Sequence, residues 1–158
     1  MRRLVLVLAV LLTAVPLASA QTPTKPKLKA KAAMLKWGPA PAVFPKGARM
    51  AVVSGDPGKA APFLVELSMP AGYKIPPHFH PTDEVVQVKK GLFMVGMGDM
   101  FDAKKTNAMK VGAKGTVPAQ MHHFALAKVA TVVSVTAMGP FAMTYVNAAD
   151  DPQGQPAK

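Results

Sequence analysis

Past residue 37 the chain breaks into short apolar runs set between prolines and glycines: MAVVS at 50–54, PFLVELSM at 62–69, EVVQVKK at 84–90, LFMVGM at 92–97, GTVPA at 115–119, HFALA at 123–127, TVVSVTAM at 131–138 and FAMTYV at 141–146. They have strand length, are rich in Val, Phe and Thr, and alternate with turn residues rather than with helical segments. No stretch beyond residue 37 holds a 3.6-residue apolar period. This patterning predicts an all-β fold, a sandwich or jelly-roll barrel of about eight strands, occupying 37–152 as one domain without internal repeats. KKG at 89–91 predicts a tight hairpin in which Gly91 supplies a positive φ. GDMFDAKKTNAMKVG at 98–112 has no strand pattern and predicts a surface loop placed to cover an opening. KLKAKAAMLK at 27–36 is the one helix candidate, with good propensity but no apolar face.

The first twenty residues, MRRLVLVLAVLLTAVPLASA, follow a different rule. Arg2 and Arg3 precede a twelve-residue apolar core, Pro16 breaks it, and Ala18 and Ala20 form an A-x-A site. That is the pattern of a secretory signal peptide cleaved after Ala20, and the core is too short to span a bilayer stably. A periplasmic or secreted protein is expected, with no stable membrane insertion after cleavage. The paired arginines leave open whether it is exported unfolded or folded.

Composition changes the picture in two ways. The chain of 158 residues has no cysteine, which removes disulfides, thiolate ligands and a cysteine nucleophile from consideration. Its formal charge of +11 is concentrated: two arginines lie in the leader and five lysines (25, 27, 29, 31 and 36) in the segment 21–36. The remainder sets twelve cations against eight carboxylates, a balance of +4. The excess belongs to a solvated basic linker at 21–36. No basic stripe interleaved with aromatics is present, so a nucleic-acid partner is not expected. Residues 153–158 read as a C-terminal tail.

The chain has four histidines, and they fall in two patches. In PPHFHPTDE at 76–84, strand alternation sends His78 and His80 to one side and Phe79 to the other, and a bend through PTD returns the Glu84 carboxylate to the histidine side. A third imidazole from His122 or His123 would complete a nitrogen and oxygen set suited to one divalent Fe, Mn, Ni, Cu or Zn ion.

The spacing of these residues resembles the cupin superfamily. Gly72, five residues, His78-Phe79-His80, three residues, Glu84, six residues and Gly91 matches the first cupin motif in full. Gly112, five residues, Pro118 and then His123 resembles the second, with 92–111 between them. Gln120 and Ala127 stand where the second motif usually has glycine and asparagine. KWGPAPAVFPKGA, SGDP and GPFAMTYVNAADDP are similar to segments of small exported bacterial cupins, so the resemblance covers roughly 37–152. It implies a double-stranded β-helix with His78, His80, Glu84 and His123 as metal ligands. Alternation puts His122 on the opposite face, in a surface or supporting role.

Three neutral imidazoles and a carboxylate on a divalent ion leave a charge near +1, with positions free for O₂ or a chelating anion. Val86 and Val88 share the alternation of Glu84, so the surroundings are expected to be apolar, while Gln87 and Lys89 face away. Decarboxylation or isomerisation would need a proton donor, for which Tyr73, Glu66 and Gln120 are the candidates. Oxygen insertion into a chelated diketone, flavonol-like or catechol-like substrate would not need one. A dioxygenase-type enzyme acting on a small chelating molecule is the first reading. A non-catalytic small-ligand binding or sensing module and a structural barrel, paired as a homodimer, are the alternatives. GMGD at 96–99 reads as a turn rather than a phosphate loop. Met94, Met97, Met100, Met121, Met138 and Met143 read as core fillers before cavity lining.

Overall fold

A computed structural model describes residues 34–154. The leader at 1–20, the linker and the helix candidate as far as residue 33, and the tail beyond 154 lie outside the described residues. Residues 34–36 carry no regular structure.

The described chain forms eleven strands and two single 3₁₀ turns, at Ala103–Lys105 and Ala148–Asp150. The strands are β1 (Gly38–Pro39), β2 (Arg49–Ser54), β3 (Pro62–Met69), β4 (Lys74–Phe79), β5 (Glu84–Lys90), β6 (Leu92–Met97), β7 (Thr106–Lys110), β8 (Lys114–Val117), β9 (His123–Ala127), β10 (Thr131–Met138) and β11 (Thr144–Tyr145). They build two antiparallel sheets, β1-β2-β3-β10-β5-β8 and β11-β4-β9-β6-β7. Alternation explains the division of each strand. In β3, Phe63, Val65, Leu67 and Met69 are buried while Leu64, Glu66 and Ser68 are half-exposed. Val86 and Val88 of β5, Phe93 and Val95 of β6, and Val133 and Val135 of β10 join them in one core between the sheets. Each such side chain contributes about 1.5–3 kcal/mol by leaving water.

Three expectations change. There are eleven strands rather than about eight, because three lie outside the eight apolar runs: β1 is a two-residue pairing, β4 is the proline- and histidine-bearing stretch at 74–79, and β7 hides inside the segment read as a loop. FAMTYV narrows to β11, and GTVPA becomes β8 at 114–117. β7 escapes a pattern search because it is an edge strand whose one inward apolar side chain is Met109, and TNAMK shows no alternation.

The second change concerns Gly91. It has φ +86°, as a tight turn requires, but β5 and β6 do not pair: β5 lies between β10 and β8, and β6 between β9 and β7. The turn therefore carries the chain from one sheet to the other. Space is the further reason for glycine. A Cβ there would sit 2.5 Å from the carbonyl oxygen of Ala130 and 2.6 Å from Oγ1 of Thr131. That hydroxyl is buried and occupied, donating to the carbonyl of Val129 (2.8 Å) and accepting from the amide of Leu92 (3.2 Å).

The third change concerns 98–105. This stretch folds back across the outer face of the five-stranded sheet. Phe101 packs on Phe124 (ring centroids 5.1 Å apart), and Gly96 leaves the room, since a Cβ there would lie 2.2 Å from the Phe124 ring and 2.9 Å from the carbonyl of Lys105. Phe124 is fully buried outside the barrel interior as a result.

Of the methionines singled out, Met143 is core, while Met97, Met100, Met121 and Met138 are exposed. The thioethers do not form the expected filling.

Candidate metal centre

β4 and β9 run antiparallel with His78 opposite His123, and β4 breaks register between Ile75 and His78. Both Ile75 and His78 consequently point inward, although an unbroken strand would place residues three apart on opposite faces. His80 follows the end of β4, and Glu84 opens β5 in the other sheet. The four side chains meet between the sheets. The imidazole ring centroids lie 4.1 Å (His78 to His123), 5.0 Å (His78 to His80) and 5.4 Å (His80 to His123) apart. Oε2 of Glu84 is 3.6 Å from Nε2 of His80 and 3.4 Å from Nε2 of His123.

Backbone carbonyls orient all three rings. Nδ1 of His78 donates to Pro76 (2.7 Å), Nδ1 of His80 to Ala142 (2.8 Å) and Nδ1 of His123 to Met121 (2.9 Å). A carbonyl only accepts, so each neutral ring carries its proton on Nδ1 and presents a bare Nε2 lone pair. One ring nitrogen from each of the three lies within 4.8 Å of those of the other two, which makes His78, His80 and His123 a group able to hold a metal ion. All three histidines are buried, and the carbonyl bonds fix their tautomers, which is the chemistry a nitrogen-ligated divalent ion requires.

Electrostatics agree. Burial, reinforced by His123 and His80 and opposed by the Pro76 carbonyl, pushes His78 down from 6.5 to about 3, so its ring is neutral at ordinary pH. Burial by itself raises Glu84, yet the close approach of His123 and the positive charge that the three surrounding rings can carry outweigh that and leave the carboxyl below its usual range. Both shifts have the same consequence for stability. The unfolded chain takes up a proton at His78 below about pH 6.5 while the fold refuses it, and Glu84 adds to the effect below about 4.5. Metal-free protein should therefore be most stable above pH 6.5 and lose about 2 kcal/mol by pH 5 through His78 alone. Urea unfolding of chelator-treated protein at the two pH values reads this, and His78→Gln should flatten the difference; an unchanged pH dependence in that variant would refute the assignment.

His122 lies outside the cluster, as alternation predicted. Its ring stacks on Phe79 (5.0 Å) and its Nδ1 is 2.6 Å from Oδ1 of Asp99 on the outer face of the sheet. Gln120, in the position usually given to glycine, adopts φ +62°, and its amide donates to the carbonyl of His80. The departure from the motif thus keeps the left-handed turn, and its backbone ties the segment before His123 to His80.

The cluster forms one wall of a cavity of about 70 Å³ between the sheets. Among the described residues, every other side chain lining it is apolar, Val86, Phe93, Val95, Val133 and Val135 among them. The three proton-donor candidates do not reach it. Tyr73 donates its hydroxyl to the Pro45 carbonyl, Glu66 lies on the outer face of β3, and the Gln120 side chain is exposed. No residue from 98–112 lines the cavity either, which corrects the expectation of a covering loop. The covering parts are the segment at 41–44 and the loops around Pro57 and Phe141, whose role the sequence did not signal. Aromatic residues in those proline-rich stretches, Phe44 and Phe141, were the available clue.

No family model and no curated protein matches the chain. Solved structures do. The polyketide cyclase RemF from Streptomyces resistomycificus superposes with a TM-score of 0.62 at 19% identity, covering 75% of this chain and 84% of its own. A Methylibium petroleiphilum protein provisionally assigned as an acetylacetone dioxygenase gives 0.57 at 21% identity, over 86% of this chain and 91% of its own. An RmlC-like cupin from Shewanella frigidimarina gives 0.54 at 16% identity, over 66% and 84%. With its two antiparallel sheets closed around a buried histidine cluster, the chain has the double-stranded β-helix fold of the cupin superfamily, as its two glycine and histidine motifs imply.

Proposed function

We propose that the protein is a divalent-metal-dependent, dioxygenase-type enzyme acting on a small chelating organic molecule, with His78, His80, His123 and Glu84 as the ligands. The observation that carries this reading is the contrast inside one cavity: three bare Nε2 atoms and a carboxylate at one wall, and no other polar side chain among the described lining residues. An ion held there supplies Lewis acidity and, where it is redox-active, a route for electrons to O₂.

The protein's own groups do the rest. The three rings are oriented before any ion arrives, and neutral His78 with anionic Glu84 favours a site charge near +1. Such a charge attracts a deprotonated, bidentate oxygen ligand such as an enolised diketone or a catecholate. The apolar wall excludes water from the bound ligand and strengthens that attraction. Reactions that need a separate acid find none on the wall, which disfavours decarboxylation and isomerisation. Fold kinship with a protein provisionally assigned as an acetylacetone dioxygenase supports the same substrate class. On the reading of residues 1–20 alone, we place the enzyme in the periplasm or outside the cell.

The test is oxygen consumption. Protein reconstituted with Fe²⁺, and in parallel with Mn²⁺, Ni²⁺, Cu²⁺ and Zn²⁺, should take up O₂ with at least one member of a panel of small β-diketones and catechols. Ligand-induced thermal stabilisation without oxygen uptake across the whole panel would replace the enzyme by a small-ligand binding module.

A further inference from the structure

Two buried phenols have no part in the chemistry above, and both point at one stretch of backbone. The hydroxyl of Tyr145 in β11 donates to the carbonyl of Val43 (2.7 Å), and that of Tyr73, just before β4, donates to the carbonyl of Pro45. The residue between those carbonyls is Phe44. Its own amide is taken by the Pro41 carbonyl (2.9 Å), so the backbone around Phe44 is held at three points. Burial raises Tyr73 to about 12 and Tyr145 further, so both remain protonated donors throughout the neutral range.

Phe44 stands where the cavity meets solvent. Apart from Glu84, the lining residues with solvent contact are Pro41, Phe44, Met50, Pro57 and Phe141, while the other lining residues are buried. Phe44 stacks face to face on Phe141 (5.9 Å, 10°), which meets Phe63 edge-on (6.2 Å, 86°) and the His80 ring at 5.4 Å. Phe141 is fixed in turn: its amide donates to Pro57 (2.6 Å), and Gly139 lets the two loops close, since a Cβ there would lie 2.3 Å from the carbonyl of Lys59. The resulting wall is a stacked pair of rings, tied down on both sides, across a space of about 70 Å³. One water occupies about 10–15 Å³ on this scale, so the space admits a ligand of about five to seven heavy atoms.

We propose that Phe44 is the size-determining residue of the cavity, restricting it to ligands of about one small ring or a short-chain diketone, and that Tyr73 and Tyr145 are positioning residues that hold Phe44 across the mouth. The ligand's chelating chemistry rests on the function proposed above; its size does not.

The test separates the two. Metal-free protein is titrated with benzene and with naphthalene, neither of which can chelate, and binding is followed by ligand-observed NMR. Wild type should favour benzene at least tenfold. Phe44→Ala should raise naphthalene affinity at least tenfold, and the paired Tyr73→Phe, Tyr145→Phe variant should shift it in the same direction. Leu126→Ala, on the outer face of β9, should loosen the fold without moving the size preference. Naphthalene affinity within twofold of wild type in Phe44→Ala, equal shifts in Leu126→Ala, or no binding of either probe would overturn the proposal. The Fe²⁺-loaded protein is then titrated with pentane-2,4-dione and 1,3-diphenylpropane-1,3-dione. Selective uptake of the first, relaxed in Phe44→Ala, supports both readings. Failure of both diketones alongside the expected hydrocarbon result leaves the size wall standing and removes the chelating substrate.

Discussion

His80→Ala should lower the metal content of the purified protein from about one ion per chain to below a tenth of that, with His123→Ala behaving alike and His122→Ala unchanged. The reasoning is geometric. The three ring donors converge beside Glu84, and among the described residues no further imidazole or carboxylate on the cavity wall offers a replacement. Removing even an outer partner of a metal ligand typically costs about 10–100-fold in affinity, and removing the ligand itself costs more. The expected values come from elemental analysis after exhaustive dialysis at pH 7.5. His122 is the informative control, being adjacent in sequence yet bonded to Asp99 on the far face. Unchanged content in His80→Ala would remove the ligand assignment, and loss in His122→Ala would show that the measurement reports misfolding. Circular dichroism of each variant establishes that the barrel persists.

Gly91→Ala should destabilise the fold by about 3–5 kcal/mol. Two costs combine. A non-glycine residue at φ +86° is strained by about 1–3 kcal/mol, and the new Cβ lies 2.5–2.8 Å from backbone atoms of Ala130 and Thr131 that have no freedom to retreat. Displacing Thr131 also disturbs the hydroxyl that serves Leu92 and Val129. Gly72→Ala is the comparison: its φ is similar at +77°, but nothing lies within 4 Å of its added Cβ, so only the strain remains. Chemical denaturation of both variants at pH 7.5 should rank them clearly. Equal losses would mean that the close approach at Gly91 is relieved without cost.

The sequence announces some of these features openly and conceals others, for physical reasons. β3, β5, β6, β9 and β10 match their apolar runs residue for residue, because each has at least one face buried in the barrel and burial imposes alternation. β7 leaves no such trace, since an edge strand with a single inward side chain has little to alternate. The crossover at Gly91 could not be told from a hairpin locally: both need a positive φ, and only the distant partners of β5 and β6 distinguish them. His78, His80 and Glu84 were legible because seven consecutive residues carry three donors. The choice of His123 over His122 came from the resemblance to the second cupin motif, and strand parity then sent His122 to the opposite face. The covering of the cavity was illegible, because Phe44 and Phe141 lie almost a hundred residues apart in stretches without regular structure, and of the tyrosines bonded beside Phe44, Tyr73 read only as a proton-donor candidate and Tyr145 carried no signal.

The carbonyl bonds at the three histidines also order the protein's history in time. His78, His80 and Glu84 are close in any conformation of the chain, so an unfolded molecule already offers a weak, fluctuating grip on an ion. His123 joins only when β9 pairs with β4, and the ring of His80 is fixed only when Ala142, sixty-two residues further along, arrives beside it. Full affinity is thus a property of the completed barrel. The difference between the early grip and the late one is the amount by which an ion can stabilise the fold, and an ion bound too early must wait for the last strands before it is secured.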